Sequence, residues 1–501
     1  MQMTPTRRLV FSTLALAASC VAVLGQSLES RIQTLVTKTD LGGATVGVAV
    51  FDVDSGQLIA GDGADQEMIP ASNMKLITTG AALFTLGPDF AFRTEFLIQE
   101  SEGHRTLIIK GDGDPALGDP ELLGRGSTPL DVNGLLERVA EALQRRGIDH
   151  LDEVIVDDRV FARETLHPAW PRDQLNRWYC AEVAGLNFHT NVVTVFPQSV
   201  PGSLLPRLTV EPAAPWIEIK NQSRSVSNGP NTVWISRPDR TNTMTVFGEV
   251  RRRAEIPVAI ANPAEFAGRV IATALQSNGI EIGPAGSDPV SHVRLVGEDE
   301  KFEGAETAAV VRTTLADVLN RCNTDSHNLY AEALLKRTGH AVTGDSGSWS
   351  NGAAVVRMLL GEKLGPTEAT QVTVSDGSGM SRENRVSPRI LASWIGEIYE
   401  DDSVREALLA SMAGPGEGTL RERFRDAPLN NRLEAKSGYL TGVYALSGLL
   451  INDDGRAVTF SILLNDVPSG KAARNAKPLH QDIVVEIDRW LTAQKAGALG
   501  G

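Results

Sequence analysis

The stretch that decides the fold is IPASNMKLITTG, residues 69–80. Ser72 stands two residues after Pro70, and Lys75 follows one helical turn later. Proline is favoured in the first turn of a helix, so the stretch predicts a helix from Pro70 to about Leu86 with Ser72 at its start. A helix N-terminus favours a developing anion, and residues three apart share a face. A neutral lysine there could accept the serine proton; the simpler alternatives are a helix cap and a solvated lysine.

The chemistry of this pair depends on the pKa of Lys75. A lysine ordinarily titrates near 10.4, whereas a useful general base titrates at about 7–8. Burial and a second nearby cation are the two effects that lower a lysine pKa. A serine-x-x-lysine pattern is short enough to occur about once by chance in a chain of this length, so it needs support from other motifs.

A second short motif is Ser326-His327-Asn328, at a predicted turn before the helix LYAEALLKR. A hydroxyl and an amide two residues apart can face the same side of a turn. Ser326 could then relay a proton, and Asn328 could hold a substrate amide. The alternative is a capping serine followed by a polar turn residue.

A third motif is Lys436-Ser437-Gly438, followed by Tyr439, on a predicted strand. An ammonium, a hydroxyl and an open backbone N–H would lie along one side of a cleft. Gly438 would allow a substrate backbone to lie beside the strand. The alternative is an exposed edge strand protected by a lysine.

The order of predicted elements indicates an α+β fold. A hairpin around Asp54-Ser55-Gly56 precedes the first helix, and three strands and an amphipathic helix end the chain. Between Phe92 and about Lys301, many short Val-, Thr- and Ile-rich runs are broken by Gly, Pro and Asn. Contiguous antiparallel strands with segregated helices predict a sheet flanked by helices, whose two halves are separated by a strand-rich insert.

With its three motifs in this order, the sequence resembles the penicillin-recognising serine enzymes, and within them the class C low-molecular-mass penicillin-binding proteins, the D-alanyl-D-alanine carboxypeptidase/endopeptidases. Ser72 and Ser326 are 254 positions apart, as in a family with a large nested insert. Six further stretches resemble the same family: GDGDPAL (111–117), VDDRVF (156–161), GLNFHTNVV (185–193), NPAEFAGRVIATALQSNGIEI (262–282), DGSGMSR (376–382) and GEGTLRERF (416–424).

The resemblance implies a role for each motif residue. Ser72 would be the acylated nucleophile and Lys75 its base. Ser326 and Lys436 would pass a proton to the leaving group, and Lys436 with Ser437 would bind the terminal carboxylate of the substrate.

Further roles follow for the surroundings of Ser72. Lys436 would be the second cation that depresses the pKa of Lys75, so that both amines and the Ser72 hydroxyl share one pocket. The backbone N–H groups of Ser72 and Tyr439 would form the oxyanion hole. Ser437 stands where threonine is usual in this family, and serine also provides a hydroxyl at this position.

Three other residues match positions that, in members of this family, form a subsite for the third residue of the stem peptide. Asp157 and Phe161 of the insert, with Arg382, would suit the ammonium and carboxylate of meso-diaminopimelate. The alternatives are a turn cap for Asp157, a core position for Phe161 and a solvated Arg382.

The same resemblance sets the expected domains. Residues 26–92 and 302–501 would form a discontinuous transpeptidase-like catalytic domain, and 93–301 an inserted region of two nested smaller domains. Residues 1–25, with two arginines before an apolar run, predict a signal peptide for export to the periplasm or cell envelope by the general or the twin-arginine route.

Composition restricts the expected partners. A formal net charge of −14 argues against nucleic acid, and three cysteines and eight scattered histidines argue against a metal site. The sequence predicts no cofactor and at most peripheral membrane contact. Cys180 and Cys322 leave one disulfide open as an alternative.

The predicted function is a serine D-Ala-D-Ala carboxypeptidase, and a D-Ala–diaminopimelate endopeptidase, acting on peptidoglycan stem peptides and covalently inhibited by β-lactams. Two alternatives stay open: a β-lactamase or esterase that uses the same serine, and a non-catalytic peptidoglycan-binding scaffold.

Overall fold

The computed structural model describes residues 27–125, 128–427 and 429–498. The predicted signal peptide, residues 1–25, lies outside this range. The helices of the described chain are α1 (Leu28–Lys38), α2 (Met74–Leu86), α3 (Pro120–Arg125), α4 (Val132–Gln144), α5 (Pro263–Ser277), α6 (Leu315–Asn323), α7 (Asn328–Thr343), α8 (Trp349–Lys363), α9 (Pro366–Thr370), α10 (Pro388–Glu400), α11 (Arg405–Ser411) and α12 (Lys471–Ala498).

The strands of the described chain range in length from two to eleven residues. They are β1 (Thr45–Asp52), β2 (Gln57–Asp62), β3 (Ala91–Ser101), β4 (His104–Lys110), β5 (His150–Leu151), β6 (Glu153–Asp157), β7 (Val192–Gln198), β8 (Arg207–Glu211), β9 (Ile219–Asn221), β10 (Arg224–Ser225), β11 (Trp234–Ser236), β12 (Met244–Phe247), β13 (Glu249–Val250), β14 (Ile256–Ala259), β15 (Glu281–Ile282), β16 (Val293–Leu295), β17 (Glu306–Thr314), β18 (Arg432–Leu440), β19 (Val443–Ile451) and β20 (Ala457–Asn465).

The chain divides into two compact units. Of the described residues, the first unit contains those within 27–68, 386–396 and 414–498, and the second contains those within 69–385 and 397–413. The predicted insert, 93–301, falls within the second unit. The boundaries of its two nested domains stay a prediction.

The first unit is built on an antiparallel five-stranded sheet in the order β18-β19-β20-β1-β2. Strands β19 and β20 are buried along almost their whole length, as expected for strands covered on both faces. Helix α12 packs on these two strands and α1 packs on α12. Strand β18 is the edge strand that carries Lys436, Ser437 and Gly438.

The second unit combines a helical cluster with the strand-rich insert. Helix α2 is buried from Met74 to Leu83 and packs against α6, α7, α8 and α11. A five-stranded sheet, β16-β6-β4-β3-β17, joins strands of the insert to β17, which follows the predicted insert in the chain, and α4 and α5 pack on it. Several smaller sheets lie within the insert. Because α2 is enclosed on all sides, the polar side chains of its first turns are held away from water.

No disulfide joins Cys180 and Cys322, and both thiols are buried. Burial raises the pKa of the Cys180 thiol to about 12. Among the described residues, no helix combines the length and the apolar character required to cross a bilayer.

Candidate active site

Ser72 lies in a single 3₁₀ turn, Ala71–Asn73, directly before helix α2. Ala71 has a left-handed backbone φ of 46°, which is uncommon for a residue with a side chain. The Ala71 carbonyl packs against Gly379, which has a φ of 82°, and a Cβ at Gly379 would lie only 1.8 Å from that carbonyl oxygen. The loop containing Gly379 therefore fixes the backbone immediately before Ser72.

Lys75 is completely buried and faces Ser72 from the next turn. Its Nζ donates hydrogen bonds to Asn328 Oδ1 at 2.7 Å and to the Ser378 carbonyl at 2.8 Å. The same nitrogen lies 3.3 Å from Ser72 Oγ. A neutral amine has two N–H groups for the two short bonds, so its lone pair is left for the Ser72 hydroxyl. This is the arrangement that a general base requires.

Burial makes that neutral form easier to reach. Burial lowers the pKa of Lys75 from 10.5 to about 8, while the nearby Cys322, Glu332 and Asp376 act in the opposite direction. The shift brings the amine close to the pKa at which a base is effective near neutral pH. Desolvation by the enclosed helix is thus the main physical cause.

Asn328 and Ser326 lie at the junction of α6 and α7. Asn328 begins α7, and its Nδ2 donates to the Tyr179 carbonyl at 2.9 Å. The Asn328 amide is therefore held at both ends, by Lys75 and by the insert. Ser326 has a left-handed φ of 63°. The structure brings Ser72, Lys75 and Asn328 together, with the Asn328 amide oxygen in contact with the lysine amine. The role of Asn328 towards a substrate amide stays a prediction.

Two buried carboxylates hold the loop that contacts Lys75. Glu332 accepts hydrogen bonds from the Gly377 N–H at 2.9 Å and the Ser378 N–H at 2.8 Å. Asp376 accepts from the Gly379 N–H at 2.8 Å. Burial, assisted by the charge of Asp376, raises the pKa of Glu332 to about 7. These contacts orient the Ser378 carbonyl towards the lysine amine.

Residues 28–486 match the D-Ala-D-Ala carboxypeptidase 3 (S13) family. The chain belongs to this family.

Relatives of this S13 peptidase extend over most of its length. The D-alanyl-D-alanine carboxypeptidase of Actinomadura sp. (strain R39) is 31% identical over 464 residues, which cover 87% of this chain and 81% of that protein. The D-alanyl-D-alanine carboxypeptidase DacB of Haemophilus influenzae is 23% identical to this chain. The aligned residues cover 87% of this chain and 88% of that protein. The crystal structure of penicillin binding protein 4 (dacB) from Haemophilus influenzae has the same fold, with a TM-score of 0.72 at 23% identity over 92% of this chain and 98% of that chain.

These findings confirm three predictions. The chain is a class C low-molecular-mass penicillin-binding protein, its fold is the α+β fold of these enzymes with a strand-rich insert, and its activity is that of a serine-type D-Ala-D-Ala carboxypeptidase.

The third motif of this S13 peptidase lies on β18 in the first unit. Lys436 is completely buried, and its Nζ donates to the Ser437 carbonyl at 2.8 Å. Tyr439 is 58% exposed and packs edge-on against Tyr444, with ring centroids 5.2 Å apart. The backbone of Gly438 pairs with Ala445 of β19. The roles of these residues stay predictions.

The three predicted subsite residues have other contacts in the structure. The Asp157 carboxylate is bound by Arg159 at 2.7 Å and 2.8 Å. Phe161 is buried, with its ring against Gly113. Arg382 is exposed, and its carbonyl accepts a hydrogen bond from Arg385 at 2.6 Å. Their assignment to a diaminopimelate subsite stays a prediction.

Sequence reasoning missed the positioning carboxylates of Glu332 and Asp376. Glu332 follows Asn328 by four residues, so the two share one face of α7. Asp376 begins the stretch DGSGMSR, whose glycines indicate a tight loop that needs acceptors for its N–H groups. A carboxylate one turn after the asparagine and another at the start of a glycine-rich loop were the available signals.

The pKa of Lys75 predicts how acylation depends on pH. The ammonium cannot accept a proton, so activity is lost as the pH falls below the lysine pKa of about 8. We expect the second-order rate constant for acylation by benzylpenicillin to rise about tenfold from about pH 6 to about pH 7 and to level off above about pH 8. Stopped-flow measurements across this range, with circular dichroism to monitor the fold, test the prediction. A flat profile would exclude a titrating base in this step.

Proposed function

We propose that this S13 carboxypeptidase removes the terminal D-Ala from peptidoglycan stem peptides through an acyl-enzyme on Ser72, and that it also cleaves the D-Ala–diaminopimelate cross-link. The observation that carries the proposal is the buried Lys75 amine, which lies 3.3 Å from Ser72 Oγ with its other contacts made by Asn328 and the Ser378 carbonyl. A nucleophile with an adjacent, desolvated amine is suited to acyl transfer.

The proposed reaction has two halves. In the first, Lys75 takes the Ser72 proton while Oγ attacks the carbonyl carbon of the penultimate D-Ala. The peptide bond breaks as the proton held by Lys75 passes through Ser326 and Lys436 to the amine of the departing D-Ala, which leaves Lys75 neutral again and an ester on Ser72. In the second half, water donates a proton to the same base and attacks the ester, which releases the shortened peptide and restores the hydroxyl.

The third motif is proposed to recognise the substrate in this reaction. Lys436 and Ser437 would bind the terminal carboxylate, and the charge of Lys436 would add to the effect of burial on Lys75. The backbone N–H groups of Ser72 and Tyr439 would stabilise the oxyanion, and Gly438 would leave space for the peptide backbone. The match to the S13 family over residues 28–486 supports this assignment because it includes all three motifs.

The remaining features of the proposal concern substrate and location. Asp157, Phe161 and Arg382 would recognise meso-diaminopimelate, and β-lactams would acylate Ser72 as substrate mimics. The enzyme would act after export, in the periplasm or cell envelope. The basic and apolar character of residues 1–25 supports export.

Mass spectrometry of defined muropeptides tests this function. We expect a monomeric pentapeptide to lose the mass of one D-Ala and a cross-linked dimer to be split into monomers, with diaminopimelate peptides preferred to lysine peptides. If neither product forms and benzylpenicillin is turned over rapidly, the assignment changes from a peptidase to a β-lactamase. If neither product forms and no covalent penicillin adduct is detected, the protein is a non-catalytic scaffold.

A further inference from the structure

A polar groove of about 300 Å³ lies in the second unit, between residues 172–177 and strand β11. Its walls are tied together by two hydrogen bonds. Asn176 Nδ2 donates to the Ile235 carbonyl at 3.1 Å, and Arg237 Nη2 donates to the Leu175 carbonyl at 2.9 Å. The groove is therefore held open by the fold before any ligand arrives, and its volume is that of a small-ligand site.

An exposed aromatic ring forms one side of this groove. Trp234 is 52% exposed, and its ring stacks on Phe247 with centroids 4.6 Å apart and an angle of 20° between the planes. Support from Phe247 fixes the orientation of the indole. A fixed aromatic surface offers apolar contact to a flat ligand such as a pyranose ring, while the indole N–H can still donate a hydrogen bond.

A buried arginine, Arg237, lines the groove, and the charges of Glu182 and Asp239 act on it without a direct ion pair. Arg237 is only 8% exposed, and its two terminal nitrogens donate to the Thr241 and Leu175 carbonyls at 2.8 Å and 2.9 Å. Each terminal nitrogen carries two N–H groups, so one on each remains for another acceptor. Within the described chain, no carboxylate lies within 4 Å of this guanidinium. A buried cation without such a partner is costly, and an oxygen-rich ligand would offset part of that cost.

Two more arginines line the same groove. Arg172 and Arg177 are exposed, and neither makes an ion pair with any described residue. Asp173 and Asp239 also line the groove, and their carboxylates supply hydrogen-bond acceptors. Three arginines against two carboxylates give this groove an excess of positive charge in a chain whose net charge is −14. Mixed donors and acceptors beside an aromatic ring suit a saccharide that carries acetamido and carboxyl-derived substituents.

The groove adjoins the catalytic cluster along the chain. Arg177 precedes Tyr179 by two residues, which span at most about 7 Å. The Tyr179 carbonyl accepts the hydrogen bond from Asn328. A ligand in the groove is therefore within one short segment of the residues around Ser72.

We propose that this groove binds the saccharide portion of peptidoglycan, with a pyranose ring against Trp234 and the oxygen atoms of its acetamido and lactyl groups at Arg237 and Arg177. The inference rests on the proposed peptidoglycan substrate and adds a second anchor for it. A stem peptide still attached to its sugar would be held at two places, which raises its effective concentration at Ser72.

Two substrates that differ only in the sugar test this inference. One is a disaccharide pentapeptide and the other is the same free pentapeptide. We expect the wild-type kcat/KM to be about tenfold higher for the disaccharide form, and we expect this ratio to approach one in Trp234→Ala and to be partly retained in Trp234→Phe. Leu204→Ala is the control, because Leu204 is 79% exposed in the same insert but outside the groove. It should keep the wild-type ratio.

Direct binding separates the groove from catalysis. Isothermal titration of Ser72→Ala with peptide-free glycan fragments requires no reaction, so it decides the inference even if neither peptide is cleaved. Adding Trp234→Ala or Arg177→Ala to this protein should weaken binding by about tenfold, whereas Arg252→Ala, which removes an exposed arginine elsewhere, should not. No binding of the glycan, or equal binding by all of these variants, would overturn the proposal.

Discussion

Replacing Lys75 with methionine is expected to slow acylation of Ser72 by benzylpenicillin by about 10²–10⁴-fold, the usual contribution of a general base. Methionine has a similar length and suits a buried position, but it has no amine to accept the serine proton. The Asn328 Oδ1 and Ser378 carbonyl oxygens lose their donor, while the cost of a buried amine is also removed. We therefore expect the fold to persist. Stopped-flow acylation and labelling with a fluorescent penicillin measure the effect, with Ser72→Ala as the unlabelled reference.

The chain offers a matched control for this substitution. Lys336 is also completely buried, and burial lowers its pKa to about 8. Its Nζ donates to the Glu164 carbonyl at 2.6 Å and lies 3.8 Å from the centre of the Trp349 ring, with no contact to Ser72. The Lys336→Met variant should be acylated by benzylpenicillin at a rate within a few fold of the wild-type rate. Equal losses in the two variants would mean that a general disturbance of the helical cluster, and not the loss of a base, explains the result.

Gly379→Ala is expected to have the largest effect on stability. A Cβ there would lie 1.8 Å from the Ala71 carbonyl oxygen, and the φ of 82° is strained for any residue with a side chain. The left-handed backbone costs about 1–2 kcal/mol and the overlap about 1–3 kcal/mol more, so the free energy of unfolding should fall by about 2–5 kcal/mol. Because the carbonyl belongs to the residue before Ser72, the nucleophile should also move, and a shift of about 1 Å can slow acylation by about 10²-fold.

Gly344→Ala separates the two causes in this prediction. Gly344 has a φ of 76° at the end of α7, and a Cβ there would meet nothing within 4 Å. Its substitution should cost only the backbone strain, about 1–2 kcal/mol, and should leave acylation unchanged. Urea unfolding and penicillin acylation of both variants decide the matter. If Gly379→Ala behaves like Gly344→Ala, the close approach to Ala71 does not constrain the nucleophile.

Much of the architecture could be predicted because local patterns and long-range structure agree. The stretch 69–80 has a proline at the start of an apolar helix, and the three predicted C-terminal strands match β18, β19 and β20. Helices α1 and α11 were not predicted, since both are short and their helical form is stabilised by packing on α12 and on α6.

The members of the candidate active-site cluster could be named from the sequence, but the contacts between them could not. The motifs identified Ser72, Lys75 and Asn328 as residue types suited to acyl transfer. They did not indicate that the Asn328 amide would contact the lysine, or that a backbone carbonyl from residue 378 would be its other acceptor. Backbone groups carry no sequence signal, and the Ala71 conformation follows from a glycine some 300 residues away in the chain. Such contacts arise only from tertiary packing.

The cysteines of the described chain have a practical consequence. Cys180 and Cys322 are buried without a disulfide between them, and the high pKa of Cys180 suppresses the thiolate that reacts with oxidants. Maturation of the enzyme is therefore independent of thiol oxidases that would join these two residues. Recombinant chains made in a reducing cytosol should reach the same active state as exported ones, and treatment with dithiothreitol should leave their penicillin binding intact.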